Sequence, residues 1–269
     1  MTKYSSGVRV TVVTPTLNQG RYIRETIDSV LSQDHPDLEY IVMDGGSTDN
    51  TIDILKSYGS RLTWESGKDS GQAEAINRGF ARSTGAILTW LNSDDTLLPG
   101  AISSAVSYFE RNGDLGLLYG NAIFTGPDGG YLYTTSVPRF SVVTMIEECR
   151  NPICQPASFF SRGAWLDCGL LNTGFHYFFD WDLWIRMGLS VSVLAIRDIL
   201  ATYRLHPQSK TGKGAYPTYE LEAIYGTLGS DLRTRRALAN MHRRIAEYQD
   251  ANGQHFRAWL SRRKAWMKG

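Results

Sequence analysis

The run Ile87-Leu88-Thr89-Trp90-Leu91-Asn92-Ser93-Asp94-Asp95 constrains this chain more than any other. An apolar stretch of strand length ends on two adjacent carboxylates. An earlier stretch, Tyr40-Ile41-Val42-Met43-Asp44, also ends on a carboxylate and opens into Gly45-Gly46-Ser47-Thr48-Asp49-Asn50. Carboxylates at the carboxyl ends of parallel strands sit where open α/β sheets take their ligands. Two together hold a hard divalent cation, which suits a diphosphate.

The rest of the first half repeats this alternation. Val8 to Thr14 reads as a buried strand, and Pro15 to Gly20 as a turn. Tyr22 to Gln33 carries Ile23, Ile27, Val30 and Leu31 at helical spacing. Leu38 to Asp44 is a strand, followed by a helix over Thr51 to Tyr58 capped by Thr48 or Asp49. Arg61 to Glu65 is a short strand, Gly71 to Ser83 a helix, and Ala86 to Leu91 a strand. Pro99 opens a helix that runs to Arg111. Strands alternating with helices at this pitch predict a mostly parallel sheet with right-handed crossovers.

After Gly113 the pattern changes. Leu115 to Phe124 and Tyr131 to Thr135 flank Thr125-Gly126-Pro127-Asp128-Gly129-Gly130, a hairpin signature. Ser141 to Cys149 and Asp180 to Met187 read as helices. Pro156 to Ser161, Val191 to Ile196 and Leu200 to Arg204 read as strands of an antiparallel extension. From Tyr216 the chain reads as helical and basic. Residues 231–269 hold ten Lys/Arg against three acids, a net +7 in a chain whose total is +1. With Trp259, Trp266 and Met267, this tail suits either an anionic membrane surface or a solvated helical pair packed on the domain. The predicted division is 1–215, split into halves 1–112 and 113–215, then 216–269.

Composition is that of an ordinary globular chain with a substantial core: 269 residues, 42% hydrophobic and 20% charged. The near-zero net charge gives no global reason to expect nucleic-acid binding. Cys149, Cys154 and Cys168 lack metal-ligand spacing, and their odd number predicts free thiols in a reducing compartment. No signal-peptide h-region follows Met1 to Gly7, and no apolar run approaches the ~20 residues of a membrane span. The expectation is a cytoplasmic protein, with peripheral membrane contact as one use of the basic tail.

Several residues carry candidate chemistry, each with a plainer alternative. Asp94 and Asp95 suit a cation and its phosphates, or form a turn and capping cluster. Asp44, followed by two glycines, suits a base or ribose, or is a turn aspartate. Thr14-Pro15-Thr16-Leu17-Asn18 would lie beside it. Asp180, in Asp180-Trp181-Asp182, suits a general base or is a helix N-cap. His206, before Pro207, completes a metal site as neutral imidazole or is a loop residue.

Taken in order, these segments resemble the family 2 glycosyltransferases of GT-A fold. The resemblance rests on Thr14 to Asn18, Asp44 to Asp49, Asn77-Arg78-Gly79, Gly85 to Asp95, Phe179 to Trp184 and Arg204-Leu205-His206. It implies a Rossmann-like, mostly parallel α/β sheet with residues 1–112 as the nucleotide-binding half and 113–215 as the acceptor half. It implies inverting transfer of one sugar from a nucleotide-diphosphate sugar to a saccharide or lipid-linked acceptor, with Mg²⁺ or Mn²⁺. By position, Thr14, Thr16, Asn18, Asp44 and Asp69 would meet the nucleoside, and Asp94 the ribose or diphosphate. Asp95 would bind the metal with His206 nearby, and Asp180 would be the base, with Asp182 close behind it. Two positions depart: Asn92 stands where the family often has Asp, and Phe179 where it often has Glu. A catalytically inactive nucleotide-sugar-binding subunit is the alternative. A nucleotidyltransferase is disfavoured, because Pro15 to Gly20 lacks a Gly-, Arg- and Lys-rich triphosphate loop.

Overall fold

The computed structural model describes residues 7–210, 218–228, 232–251 and 261–265. They divide into two compact units, one from the segments 1–140 and 153–214, the other from 141–152 and 215–269.

The first unit opens with the expected alternation: β1 (Val10–Thr16), α1 (Ile23–Leu31), β2 (Leu38–Asp44), α2 (Thr51–Ser57), β3 (Thr63–Ser66), α3 (Gln72–Arg82) and β4 (Ile87–Trp90). The strands run in parallel in the order β3-β2-β1-β4. Their apolar residues meet helices: Val10, Val12, Ile23, Ile27, Val30, Val42, Leu55 and Ile87 form one buried cluster. Helix α3 lies close on the sheet because it carries Gly79, where a Cβ would come within 2.5 Å of a Val13 methyl. The register pairs Thr16 with Asp44 and Asp44 with Ser66, so these strand ends share one edge of the sheet.

The second half of this unit is a mixed sheet. After the short β5 (Thr96–Leu97) and α4 (Ala101–Arg111) come β6 (Leu115–Thr125) and β7 (Tyr131–Thr134), then α5 (Val142–Glu147), which belongs to the second unit. The chain returns with β8 (Ser158–Ser161), α6 (Arg162–Cys168), α7 (Phe179–Ser190) and β9 (Ser192–Arg204). Strand β8 is antiparallel to both β4 and β6, and β7 pairs with β6 as the expected hairpin. β6 and β9 pair in parallel, so the extension is not purely antiparallel. The path ends β8-β6-β9-β5, yet β5 follows β4 after only residues 91–95. The sheet therefore curls, carrying the end of β9 back to the carboxyl end of β4.

Other expectations are corrected in detail. The two strands expected over 191–204 are one continuous strand, with a register irregularity opposite Tyr119 and Asn121. Helix α6 was not expected; Ser161 caps it by accepting from the Ala164 amide. The helix holding Asp180 begins at Phe179 after Phe178, so Asp180 is not its N-cap. All three cysteines are free, but only Cys149 is fully buried.

The second unit contains α5, α8 (Thr218–Thr227), α9 (Leu232–Ala251) and a helical stretch over 261–265. Tyr225 donates to the Met145 carbonyl at 3.4 Å, and Lys264 pairs with Glu222 at 2.9 Å. Trp259, Trp266 and Met267 of the basic tail lie outside the described residues. No described helix is long and apolar enough to cross a membrane.

Candidate active site

The carboxyl ends of β1, β2 and β3 build a loop platform. Asp44 is buried, and its carboxylate accepts from the amides of Gly46 and Ser47, both at 2.9 Å, and from the hydroxyls of Ser47 at 2.5 Å and Ser66 at 2.6 Å. Gly46 permits this turn by taking φ +91°. Asn18, itself left-handed at φ 53°, accepts from the Thr48 amide at 2.8 Å, and its own amide donates to Ser47 at 2.7 Å. Asp44 and Asn18 therefore shape the 45–49 loop. Asp49 accepts from the amides of Thr51 and Gly20, both at 2.9 Å. It thereby serves the start of α2, although Asn50 holds the N-cap position.

Thr14 is enclosed, with its hydroxyl 3.1 Å from the Tyr40 hydroxyl, which gives it a packing role. Thr16 differs. Its buried hydroxyl has no hydrogen-bond partner among the described residues. Asp69 lies half-buried against Gly45. Burial raises its pKa, and Glu74 and Asp44 add to the rise, against the Gly71 amide hydrogen bond.

The end of β4 meets the end of β9. Asp95 is 2% exposed, and its carboxylate accepts from the Arg204 amide at 2.9 Å and from Asn92 at 3.3 Å. The Arg204 guanidinium turns elsewhere, to Glu25 at 2.5 Å, the Asp94 carbonyl at 3.0 Å and the Pro127 carbonyl at 3.2 Å. Burial, and then the neighbouring Asp94, push the Asp95 carboxyl well above the usual range. His206 is buried rather than a surface loop residue. Its Nε2 lies 3.0 Å from Asp94 Oδ2, and its ring packs 4.8 Å from the Tyr22 ring. The hydrogen bond to Asp94 raises the His206 pKa, against burial.

Asn92 links this corner to Asp180. Its amide donates to Asp95 and to Gln155 at 3.2 Å, while its carbonyl accepts from Gln72 at 2.6 Å. Gln72 in turn accepts from Lys210 at 2.7 Å. The Lys210 ammonium lies 5.0 Å over the Phe179 ring, the residue before Asp180. Burial raises the Asp180 pKa to about 6, against the Trp181 amide, which donates to its carboxylate at 2.8 Å, and the positive Lys210. Burial raises the Cys154 thiol, and the charges of Asp95 and Asp180 add to the rise. Asp182 is committed elsewhere, paired with Arg186 at 2.7 Å.

The structure thus gathers Asp94, Asp95, His206 and Asp180 around the Asn92 network, and Thr16, Asn18, Asp44 and Asp69 around the 45–49 loop. Gln72, Gln155 and Lys210 do not stand out in the sequence as site residues, and Cys154 stands out there only as a free thiol. Each is a single polar residue whose partners lie far along the chain, so no local pattern marks them.

The Glycosyl transferase family 2 profile matches residues 11–166. An uncharacterized glycosyltransferase of Rickettsia typhi is 27% identical over 229 residues, 80% of this chain and 70% of that protein. A PGL/p-HBAD biosynthesis glycosyltransferase of Mycobacterium bovis is 29% identical over 180 residues, covering 65% of this chain and 68% of its own length. Among solved structures, S. aureus TarS 1-349 in complex with UDP-GlcNAc superposes with a TM-score of 0.67 at 14% identity, over 96% of this chain and 92% of that one. Mannosyltransferase PcManGT from Pyrobaculum calidifontis, in complex with GDP-Man and Mn²⁺, gives 0.66 at 17% identity, over 97% and 76%. Those likenesses show the same GT-A architecture, and the profile match shows the family. This chain belongs to glycosyl transferase family 2 and is a glycosyltransferase.

Proposed function

We propose that the chain transfers one sugar, with inversion, from a nucleotide-diphosphate sugar to a hydroxyl of a saccharide or lipid-linked acceptor, with Asp180 as the base. The observation that carries this reading is a half-buried carboxylate, Asp180, whose pKa burial raises to about 6 and which the Asn92–Gln72–Lys210 hydrogen bonds link to buried Asp95 and its neighbour Asp94. Asp180 takes the acceptor proton as the hydroxyl oxygen attacks the anomeric carbon. The bond to the diphosphate breaks on the opposite face, and the diphosphate leaves with the electron pair. The sugar passes through an oxocarbenium-like state, as in glycoside hydrolysis. The Asp182–Arg186 pair supports Asp180 over Asp182 in this role.

Thr16, Asp69 and the loop held by Asp44 and Asn18 form the nucleoside side of the site, and Asp94 faces the ribose or diphosphate. The Asp94–Asp95 corner fits a divalent cation. Asp95 is a buried carboxylate with a raised pKa, and no cationic side chain bonds to it among the described residues. Described His, Cys, Asp and Glu residues form no cluster of three that could hold an ion alone, so its remaining ligands would have to come from phosphates. Asp95 would hold that ion, and His206 would join it as neutral imidazole only where the ion displaces the proton that its hydrogen bond to Asp94 favours. A bound Mg²⁺ or Mn²⁺ supplies counter-charge for the departing diphosphate.

The pH dependence tests the base. A carboxyl raised to about 6 is ionised above that pH and protonated below it. Donor cleavage should therefore rise through pH 6 to a plateau, with the rate at pH 5 about tenfold lower than at neutral pH. A pH–rate profile on wild-type protein checks this. A profile flat from pH 5 to 8 removes Asp180 from the role. A chain that binds nucleotide sugar and never cleaves it is the alternative that the same assay exposes.

A further inference from the structure

The chain entering α7 is tied to α3 before it reaches Asp180. Asn77 grips the Leu171 backbone: its Nδ2 donates to the Leu171 carbonyl at 2.9 Å and its Oδ1 accepts from the Leu171 amide at 3.0 Å. Further on, the His176 carbonyl accepts from the Lys210 ammonium, and the His176 ring lies beside Gly71, where a Cβ would stand 3.5 Å from its Nδ1. Lys210 comes from the turn after β9 and also donates to Gln72, the first residue of α3, at 2.7 Å. Its Nζ sits 5.0 Å from the Phe179 ring centre and 5.9 Å from that of Tyr177. Phe178, at the N-cap of α7, makes no side-chain capping bond, so this entry is held from outside the helix. One side chain therefore joins the exit of β9 to the starts of α3 and α7.

The ammonium also fixes which way the neighbouring amides point. It only donates, so Gln72 turns its oxygen to Lys210 and its nitrogen to Asn92. Asn92 then turns its oxygen to Gln72 and its nitrogen to Asp95 and Gln155. The direction set at Lys210 thus ends on the Asp95 carboxylate, which receives a donor. Charge acts on the other carboxylate. The positive Lys210 lowers the Asp180 carboxyl against burial. Other titratable groups near Asp180 among the described residues offset burial less: Cys154, from the segment before β8, is a thiol that burial keeps protonated, and Asp182, on α7 itself, is paired with Arg186.

We infer that Lys210 is a positioning residue for the transfer reaction: its ammonium pins the entry of α7 to α3, orients the amides that end on Asp95 and supplies the counter-charge for Asp180. This rests on the proposed role of Asp180 as base and deepens it by naming the group that holds the base in place and ionised. Lys210 acts through Asp180 and Asn92 rather than on the sugar. A neutral residue in its place leaves a carboxylate shielded from water without its cation, and an uncharged carboxyl takes no proton from an acceptor.

The test replaces Lys210 by Gln, Met and Arg in the full chain and reads Asp180 itself. Carboxyl-carbon NMR of aspartate-labelled protein follows the carboxylates through a pH titration, and Asp180→Asn identifies the Asp180 signal by its loss. Lys210→Gln and Lys210→Met should move the Asp180 midpoint up by roughly one unit, whereas Lys210→Arg should leave it near that of wild type. Donor cleavage should follow the midpoint. Lys210→Gln should be about fivefold slower than wild type at pH 6 and nearly equal to it at pH 8. A merely structural loss would persist at pH 8. An Asp180 midpoint in Lys210→Gln equal to that of wild type overturns the inference, and so does a shift in Lys210→Arg as large as in Lys210→Gln. Failure of the transfer reading looks different: the midpoint still depends on Lys210, but the wild type cleaves no donor.

Discussion

Replacing Asp180 by Asn should cut sugar transfer by at least ~10²-fold while leaving donor binding nearly intact. The asymmetry follows from what Asp180 touches. Its carboxylate accepts from the Trp181 amide, and an Asn carbonyl can still accept there, so the start of α7 keeps its geometry. What disappears is the lone pair that takes the acceptor proton. The nucleoside loop is built by Asp44, Asn18 and Ser66, none of which meets Asp180. The measurement is kcat with a competent acceptor, set beside the affinity for nucleoside diphosphate. Wild-type turnover in the variant, or an equal loss of binding and turnover, would remove Asp180 from the chemistry.

The second large effect belongs to Asp95, and its sign without metal is opposite to that with metal. Burial and Asp94 raise the Asp95 carboxyl above its unfolded value, so its ionised form disfavours the folded chain. That cost is absent below the unfolded pKa and fully present once pH exceeds the folded one. Asp95→Asn removes the charge yet can keep an acceptor for the Arg204 amide. Metal-free Tm at neutral pH should therefore hold steady or rise. With Mn²⁺ and a nucleoside diphosphate, the order should reverse. The wild type gains stability by mass action, about 2.7 kcal/mol at a hundredfold excess over Kd, and the variant gains little. Equal metal-dependent shifts in both proteins would detach Asp95 from the cation. A panel of UDP, GDP, dTDP and CMP, each with and without Mn²⁺, measures this and also identifies the base.

The parallel half was legible because each of its signals is local. Strand β2 was placed at its observed bounds, since an uninterrupted apolar run there ends on Asp44 and a glycine pair. The hairpin around residues 125–130 was equally plain. Strand β9 was misread because Arg197 and Asp198 break its apolar pattern. They sit in the irregular stretch of its pairing with β6, where Asn121 donates to the Arg197 carbonyl and Ser104 to the Asp198 carboxylate. Tertiary partners keep those polar residues within the strand. Helix α6 was missed because Gly163 weakens its local pattern, while Ser161 and the packing of Trp165 on Phe80 and Phe160 hold it.

At the site, the carboxylates were legible and their supports were not. Asp94, Asp95 and Asp180 stand out beside strand or helix boundaries. The Asn92–Gln72–Lys210 network joins residues 20 and 138 positions apart, and nothing near any one of them announces the others. The same holds for the sorting of the nucleoside-side residues. Sequence alone groups Thr14 with Thr16, and alternation along β1 puts both on one face, yet Tyr40 from β2 meets only the first hydroxyl.

The most direct measurement follows donor cleavage by proton NMR. Wild-type protein with Mn²⁺ is given UDP-GlcNAc, UDP-glucose and GDP-mannose in turn, with water as acceptor, and the released sugar is observed before it mutarotates. The account predicts that a cleaved donor releases nucleoside diphosphate and that its sugar first appears as the anomer opposite to the one in the donor. Release of the sugar with retained configuration, or binding of a donor with no cleavage at any pH, would contradict it.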